Sequence, residues 1–267
     1  MEVKRQMFKK LFLTLILIVS VFALAGCDQK PTPTEGTAYG LVHGYYVGVI
    51  SVNVDVDGKV TAMDVEEYFL PYSWAKITAA QALDGETLRA GALAVVGSRG
   101  TNYYSQFIKI GDKVFEGFVT GTAPAQGISY RSTGISHLES WLKQEAAAKW
   151  YVDQIEAGNF AITTSNGTTH PTWVKGAADA STAVSMTKTA SGYWTVDAPR
   201  LGWVGNVAAF KADMIGKDLS QVFVYSRDAA AAAGSQFWTV NGVVSGATWS
   251  DYPDYLHLAI QAYKNAK

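Results

Sequence analysis

The chain has 267 residues, 48% of them hydrophobic, and 22 basic against 23 acidic side chains leave a formal net charge of −1. No cluster of Lys and Arg follows Lys10, and the aromatics are not interleaved with arginines, so the electrostatic footprint of a nucleic-acid binder is excluded. A single cysteine, Cys27, excludes an internal disulfide framework.

Lys4, Arg5, Lys9 and Lys10 form a positive N-terminal region, and Leu11 to Ala25 is an uncharged run of 15 residues, apolar except for Thr14 and Ser20. A transmembrane helix needs about 20 apolar residues, so this run has the length of a secretory signal instead. It closes on Leu24-Ala25-Gly26-Cys27, which resembles the bacterial lipobox. That resemblance implies that residues 1–26 are removed as a lipoprotein signal peptide. It further implies that Cys27 carries a diacylglycerol thioether, holding the chain by lipid to the extracytoplasmic face of the cell membrane. With Cys27 acylated, thiol redox chemistry, iron–sulfur ligation and cysteine catalysis drop out. Residues 27–37 are polar, carry Pro31 and Pro33, and show no apolar period, so they are expected to form a tether reaching roughly 3 Å per residue.

Beyond it, Ile50, Val52, Val54 and Val56 alternate with polar residues up to Asp57-Gly58, and Lys59 to Val65 returns, which predicts a hairpin. The Ala- and Leu-rich stretch from Thr78 to Val96 predicts one or two short helices. The period of Leu138, Trp141, Leu142, Ala148, Val152 and Ile155 predicts a helix from Leu138 to Ala157, closed by Gly158-Asn159. The second half opens with Asn166-Gly167. A strand from Thr182 to Ala190, a turn at Ser191-Gly192 and Tyr193 to Val196 then read as another hairpin. A helix from Val207 to Ile215, a strand from Val222 to Tyr225, a polyalanine connection from Ala229 to Ala233 and a strand from Gln236 to Val240 follow. The last element is a helix with Ser250 or Asp251 as N-cap, Pro253 in its first turn, and Leu256, Ala259, Ile260 and Tyr263 on its buried face. One order of parts occurs twice, ending in the turns Thr133-Gly134-Ile135-Ser136 and Ser245-Gly246-Ala247-Thr248. This predicts an α+β fold of two tandem, diverged units, 38–160 and 161–267, each of antiparallel hairpins packed with helices.

The stretch from Asn241 to Ser250, with Ser245-Gly246-Ala247-Thr248 at its centre, resembles the flavinylation motif of FMN-binding domain proteins. Gly40, the run Gly44 to Ile50 and Asp57-Gly58-Lys59-Val60 are similar to the glycine-rich opening strands of the same domain, so each of the two predicted units is FMN-binding-like. The resemblance implies covalent FMN, joined as a phosphoester to Thr248 by a flavin transferase that uses FAD and a divalent metal. Ser245, Gly246 and Ala247 complete the implied site. It also implies a role in extracellular electron transfer, with electrons passing from a quinol-linked or other membrane dehydrogenase through the flavin to an outside acceptor. The family carries aspartate three residues before the serine, where this chain has Gly242. In the first turn Ile135, Ser136 and Tyr130 replace the expected alanine, threonine and aspartate, so no flavin is expected there.

The residue types suit the chemistry. Gly246 permits close approach to the backbone, Ala247 does not obstruct it, and Thr248 supplies the oxygen to be phosphorylated. The N-terminus of the following helix is expected to hold the phosphate, and Trp249, or another of the many tryptophans and tyrosines, to stack on the flavin ring. His43, His137, His170 and His257 are scattered without metal-ligand spacing, and no metal site is expected. A contrasting expectation from the same residues is a non-enzymatic ligand-binding or adhesion lipoprotein, whose aromatics form a partner surface and whose turn merely leads into a helix.

Overall fold

Alternation of apolar and polar residues from Ile50 to Val54 marks the central strand of the first sheet. β1 (Thr34–Val42), β2 (Tyr46–Val54) and β3 (Val60–Phe69) form an antiparallel meander in that order, burying Ala38, Ile50, Val52 and Val54 on one face. The Asp57-Gly58 turn lies where expected, secured by Asp55 Oδ1, which accepts from the Asp57 and Lys59 amides at 3.0 and 2.8 Å. The computed structural model describes residues 32–267 apart from 181, 183, 184, 229 and 233. The expected signal peptide, Cys27 and both ends of the polyalanine connection therefore lie outside the described residues. Thr34–Lys267 forms one compact unit. Thr34 already pairs with Val54 and Gly36 with Val52, so residues 34–37 belong to the sheet and not to a tether.

The protein is α+β. After β3 come α1 (Pro71–Trp74), β4 (Lys76–Ile77) and α2 (Ala79–Ala82), the last opened by a Thr78–Gln81 capping box. Helix in the stretch from Thr78 to Val96 stops there, because Asp84-Gly85 turns the chain between β5 (Leu83–Asp84) and β6 (Thr87–Leu88). β7 (Ala92–Gly97) and β8 (Gly100–Ser105) then join β4 in a sheet of order β4-β8-β7. β9 (Phe107–Ile110), β10 (Lys113–Thr120), β11 (Gly127–Arg131) and β12 (Phe160–Ile162) form another, ordered β11-β10-β9-β12. Between β11 and β12 the expected long helix is two, α3 (Leu138–Trp141) and α4 (Glu145–Glu156), broken where Gln144 turns extended at φ −84°, ψ 128°.

The second half departs further from expectation. α5 (Lys188–Ser191) stands where a strand was expected, nucleated by the Thr187 hydroxyl, which accepts from the Ala190 amide. Lys188–Ser191 is therefore helical, whereas Thr187 keeps extended backbone and bridges Tyr68, and Tyr193 to Val196 forms no hairpin with this segment. α6 (Gly202–Met214) starts five residues earlier than its apolar period suggested. β13 (Tyr225–Arg227), β14 (Trp238–Val240) and β15 (Val243–Val244) form a small sheet, and α7 (Tyr252–Asn265) ends the chain. Asn241 and Gly242 connect β14 to β15 with φ of 49° and 82°, the positive pair that a tight two-residue hairpin requires.

α7 lies on β1 and β2, at the opposite end of the sequence. Gly36 makes this possible, since a Cβ there would sit 2.1 Å from the Ala262 carbonyl oxygen and 2.4 Å from the Ala266 nitrogen. Tyr252, Tyr255, Leu256, Ala259, Ala262 and Tyr263 are the buried face of α7. They share one apolar cluster with Ile50 and Phe69 of the first sheet and with Trp203 and Phe210 of α6. The first sheet, α6 and α7 thus bury their apolar faces in a common core.

Candidate functional site

Three segments distant in sequence meet above this core: the β1–β2 turn with His43, α5 with Lys188, and the turn that carries the flavinylation-like motif. Ser245 and Ala247 are buried, whereas Thr248 is half-buried. Gly246 takes φ 78°, a conformation that a side chain disfavours. The turn is pinned across β14. The Ser245 amide donates to the Trp238 carbonyl at 2.8 Å, the Trp238 amide to the Ala247 carbonyl at 3.0 Å, and the Ala247 amide to Ser245 Oγ at 3.2 Å. Ser245, Gly246 and Ala247 therefore build the turn, and Thr248 is the motif residue presented.

Thr248 is held on three sides. Its amide and hydroxyl both donate to Asn206 Oδ1, at 2.7 and 3.2 Å, and its carbonyl accepts from Arg227 Nη2 at 2.9 Å. It lies on the wall of a cavity of about 560 Å³, within the range of small-molecule and cofactor sites. Arg200, Arg227 and Lys188 bring positive charge to that wall, and Tyr46, Tyr193, Trp194, Trp203, Trp249 and Tyr255 bring aromatic surface.

Lys188 is 5% exposed and pairs with Glu67, which is fully buried, at 2.5 Å. Its Nζ lies 3.8 Å from the Tyr46 ring centroid and 4.9 Å from that of Trp203, so aromatic faces supply part of the solvation that water would give. Tyr255 donates its hydroxyl to the other Glu67 oxygen. Burial pushes the Glu67 carboxyl above the usual carboxylate range, against the opposing pull of Lys188 and Tyr255. At the mouth, His43 pairs with Asp251. The hydrogen bond to Asp251 holds the imidazole pKa above its ordinary value, against the opposing effect of burial. For Asp251 burial acts upward, but the His43 and Ser250 hydrogen bonds prevail and its carboxyl lies below its ordinary range.

Two expectations about ligand contact change here. Trp249 is 5% exposed and stacks on Tyr255 with ring centroids 3.9 Å apart, so one of its faces is already covered. Tyr193 is exposed and Trp194 half-buried, and these are the aromatic surfaces open to an incoming ring. What Trp249 still offers is its indole N–H, buried and without a hydrogen-bond partner. The start of α7 carries Asp251 as N-cap and Asp254 in its first turn, the latter accepting from the His43 amide at 2.9 Å. Carboxylates thus take the place expected for a phosphate, with His43 paired to one of them, and Arg200 and Arg227 line the same cavity.

The first-half turn is built differently. The Ser132 amide donates to the Ile135 carbonyl at 2.8 Å and the Ile135 amide to the Ser132 carbonyl at 2.9 Å, leaving Ser136 exposed outside the loop. Of the four histidines, His43 reaches the cavity, while His170 stacks on Trp173 with centroids 4.0 Å apart. His137 lies against Ser129 and Phe118, and His257 lines a surface groove beside α7. Among the described residues, no group of three or more His, Cys, Asp or Glu could hold a metal ion, and no helix is long and apolar enough to cross a membrane.

Asn206, Lys188, Glu67 and Arg227 carried no motif in the sequence. The pattern Asn-x-x-x-Phe in α6 gives no hint that its asparagine faces a turn 42 residues away. Comparison of the chain with models of protein families, with curated proteins and with solved structures gave no match in any of the three.

Proposed function

We propose that this protein is a lipid-anchored extracytoplasmic flavoprotein that carries FMN as a phosphoester on Thr248 and relays electrons in extracellular electron transfer. One observation carries the reading: the motif threonine lines a cavity of about 560 Å³ that arginines and aromatic rings also line. A flavin phosphate needs positive charge near its attachment point and an apolar, ring-faced slot beyond it. Arg227, bonded to the Thr248 carbonyl, and Arg200 supply the charge. Tyr193 and Trp194 supply open ring faces. The unpaired indole N–H of Trp249 and the buried Lys188 ammonium supply donors that suit a heterocycle rich in carbonyl and imine acceptors.

When bound, the flavin supplies the capacity to take two electrons and release them singly, and the protein orients it and sets the charge around it. Covalent attachment matters outside a cell, where a dissociable cofactor is lost by dilution. Thr248 acts as an acceptor only. Its oxygen bonds to the flavin-side phosphorus of FAD, AMP leaves with the electron pair of the broken phosphoanhydride bond, and the hydroxyl proton passes to a base of the transferase. A diacylglycerol thioether on Cys27 keeps the folded unit at the membrane, where a quinol-linked or other dehydrogenase can reach it. With β1 beginning at Thr34, the arm between lipid and fold is six residues, a reach of roughly 20 Å.

Intact mass measurement after co-expression with a flavin transferase tests the reading. The expected result is a yellow protein with one FMN adduct that Thr248→Ala abolishes. A colourless protein without adduct removes it and leaves a reversible binder of small aromatic anions or an adhesion lipoprotein. Cys27→Ser is expected to release the protein from the membrane fraction into the medium.

A further inference from the structure

We infer that Asn206 is the positioning residue that makes Thr248, and not the neighbouring Ser250, the acceptor hydroxyl; this rests on the flavin reading above. Asn206 is fully buried on α6. Its Oδ1 accepts from three groups of the motif turn, the Thr248 amide at 2.7 Å, the Thr248 hydroxyl at 3.2 Å and the Trp249 amide at 3.1 Å. Nδ2 donates to the Gly202 carbonyl at 2.8 Å. Three donors converging on one atom identify it as the amide oxygen, and the bond to Gly202 identifies the nitrogen.

The consequence for Thr248 is stereochemical. A hydroxyl has one proton and two lone pairs. With the proton given to Asn206, behind the turn, both lone pairs of Oγ1 are left for the cavity side, where an electrophilic phosphorus must arrive. The backbone on each side of that oxygen is also fixed, by Asn206 at the amide and by Arg227 at the carbonyl.

Two other hydroxyls in the same decapeptide lack this arrangement. Ser245 is buried and accepts from the Ala247 amide, so it belongs to the turn. Ser250 is exposed and also lines the cavity, and by access alone it would be the easier target. Its hydroxyl donates to Asp251 at 2.5 Å, so an incoming anionic dinucleotide would meet a carboxylate there and an arginine at Thr248. In the transfer itself a bond forms between Thr248 Oγ1 and the flavin-side phosphorus of FAD. The phosphoanhydride bond breaks, AMP departs with its electron pair, and one proton is released to a base of the transferase.

The experiment compares the wild-type protein with Asn206→Ala, Asn206→Ser and Asn206→Asp, each purified without flavin and then incubated with a flavin transferase, FAD and magnesium. Adduct formation is followed by intact mass and located by peptide mapping. Asn206→Ala and Asn206→Ser remove the acceptor oxygen and are expected to slow attachment at Thr248 at least about tenfold, the scale of a misplaced reacting group. Asn206→Asp keeps an oxygen at the same place and is expected to restore the rate to within about threefold. A merely structural role predicts no such rescue, since Asp also forfeits the bond to Gly202. Asn206→Ser guards against loss of folding in the alanine variant, with thermal melting as the control. Attachment at the wild-type rate in the folded Ala or Ser variant, or equal loss in Asp and Ala, would overturn the inference. Amide hydrogen exchange at Thr248 and Trp249 in flavin-free protein reads the clamp separately. Faster exchange in Asn206→Ala together with no adduct on the wild type would sink the flavin reading while leaving the clamp standing.

Discussion

At the scale of single residues, the Glu67–Lys188 pair is the costliest feature of the cavity. Both side chains are buried, and taking two ions out of water repays only when each keeps its partner. Lys188→Ala leaves the buried Glu67 carboxyl without its cation, with only the Tyr255 hydroxyl bonded to it, and a loss of about 3–5 kcal/mol in unfolding free energy is expected from urea titration. The double variant Glu67→Gln/Lys188→Met removes both charges and is expected to cost clearly less than the single change. Equal costs would mean that the pair is not the origin of the effect. His43 offers a titration instead. Its pKa is raised above about 6.5 by Asp251, so the pair's contribution is fully present below the unfolded value and is lost as pH rises through the folded one. As a half-exposed pair it is worth no more than about 1 kcal/mol. Imidazole NMR titration is expected to place His43 above the free-histidine value, and Asp251→Asn to bring it down. An unchanged midpoint in that variant would assign the shift to another group.

At the scale of elements, the docking of α7 on β1 decides the geometry of the site, because α7 carries Tyr255 and follows Thr248 by only a few residues. Gly36 is the point of closest approach. Gly36→Ala would drive a methyl group into the backbone of α7 at Ala262 and Ala266, and overpacking of this kind typically costs about 1–3 kcal/mol. For a unit of this size each kcal/mol lowers the melting temperature by about 2–4 °C, so differential scanning calorimetry is expected to show a drop of several degrees. No change in melting would mean that α7 can move away from β1 without loss. The β14–β15 hairpin is the second decisive element, since it carries the motif turn. Gly242→Val forces a β-branched residue to φ 82°, expected to cost about 1–2 kcal/mol and to loosen the strand that presents Ser245 to Thr248. This hairpin also accounts for the departure from the flavinylation-like pattern. Gly242 occupies the aspartate position because a turn needs it there, and Asn241 is already engaged with the Val224 amide at 2.7 Å.

At the scale of the whole molecule, the shared core predicts one cooperative unfolding transition. Residues from β2, β3, α6 and α7 occupy a single apolar cluster, as expected of a domain that unfolds as one unit. Unfolding in urea, followed by far-UV circular dichroism and by fluorescence of the eight tryptophans, is expected to give coincident curves. Two separated transitions would restore the picture of two independent units. Much of this architecture was legible in the chain. The β2–β3 hairpin follows from alternation and an Asp-Gly turn, and the closing helix from its apolar period and Pro253, because both signals are local. The failures share one cause. The stretch from Thr182 to Ala190 was read from side-chain types alone, yet the Thr187 hydroxyl caps a helical turn that its neighbours do not announce. The β14–β15 hairpin is a local feature as well, an Asn-Gly pair flanked by Val240 and Val243.

The sequence by itself determined the α+β class, the first hairpin and the last helix, all of which depend on residues within about one turn or strand of each other, while Thr248 was singled out only by a resemblance. Tertiary structure alone decided what surrounds that threonine. Arg227, Lys188 and His43 line one cavity and Asn206 holds Thr248 from behind it, and these four come from separate segments that only tertiary packing brings together. A side chain's position along the chain states its chemistry. Its partners are fixed by the burial of apolar surface far from it, and no local pattern encodes that.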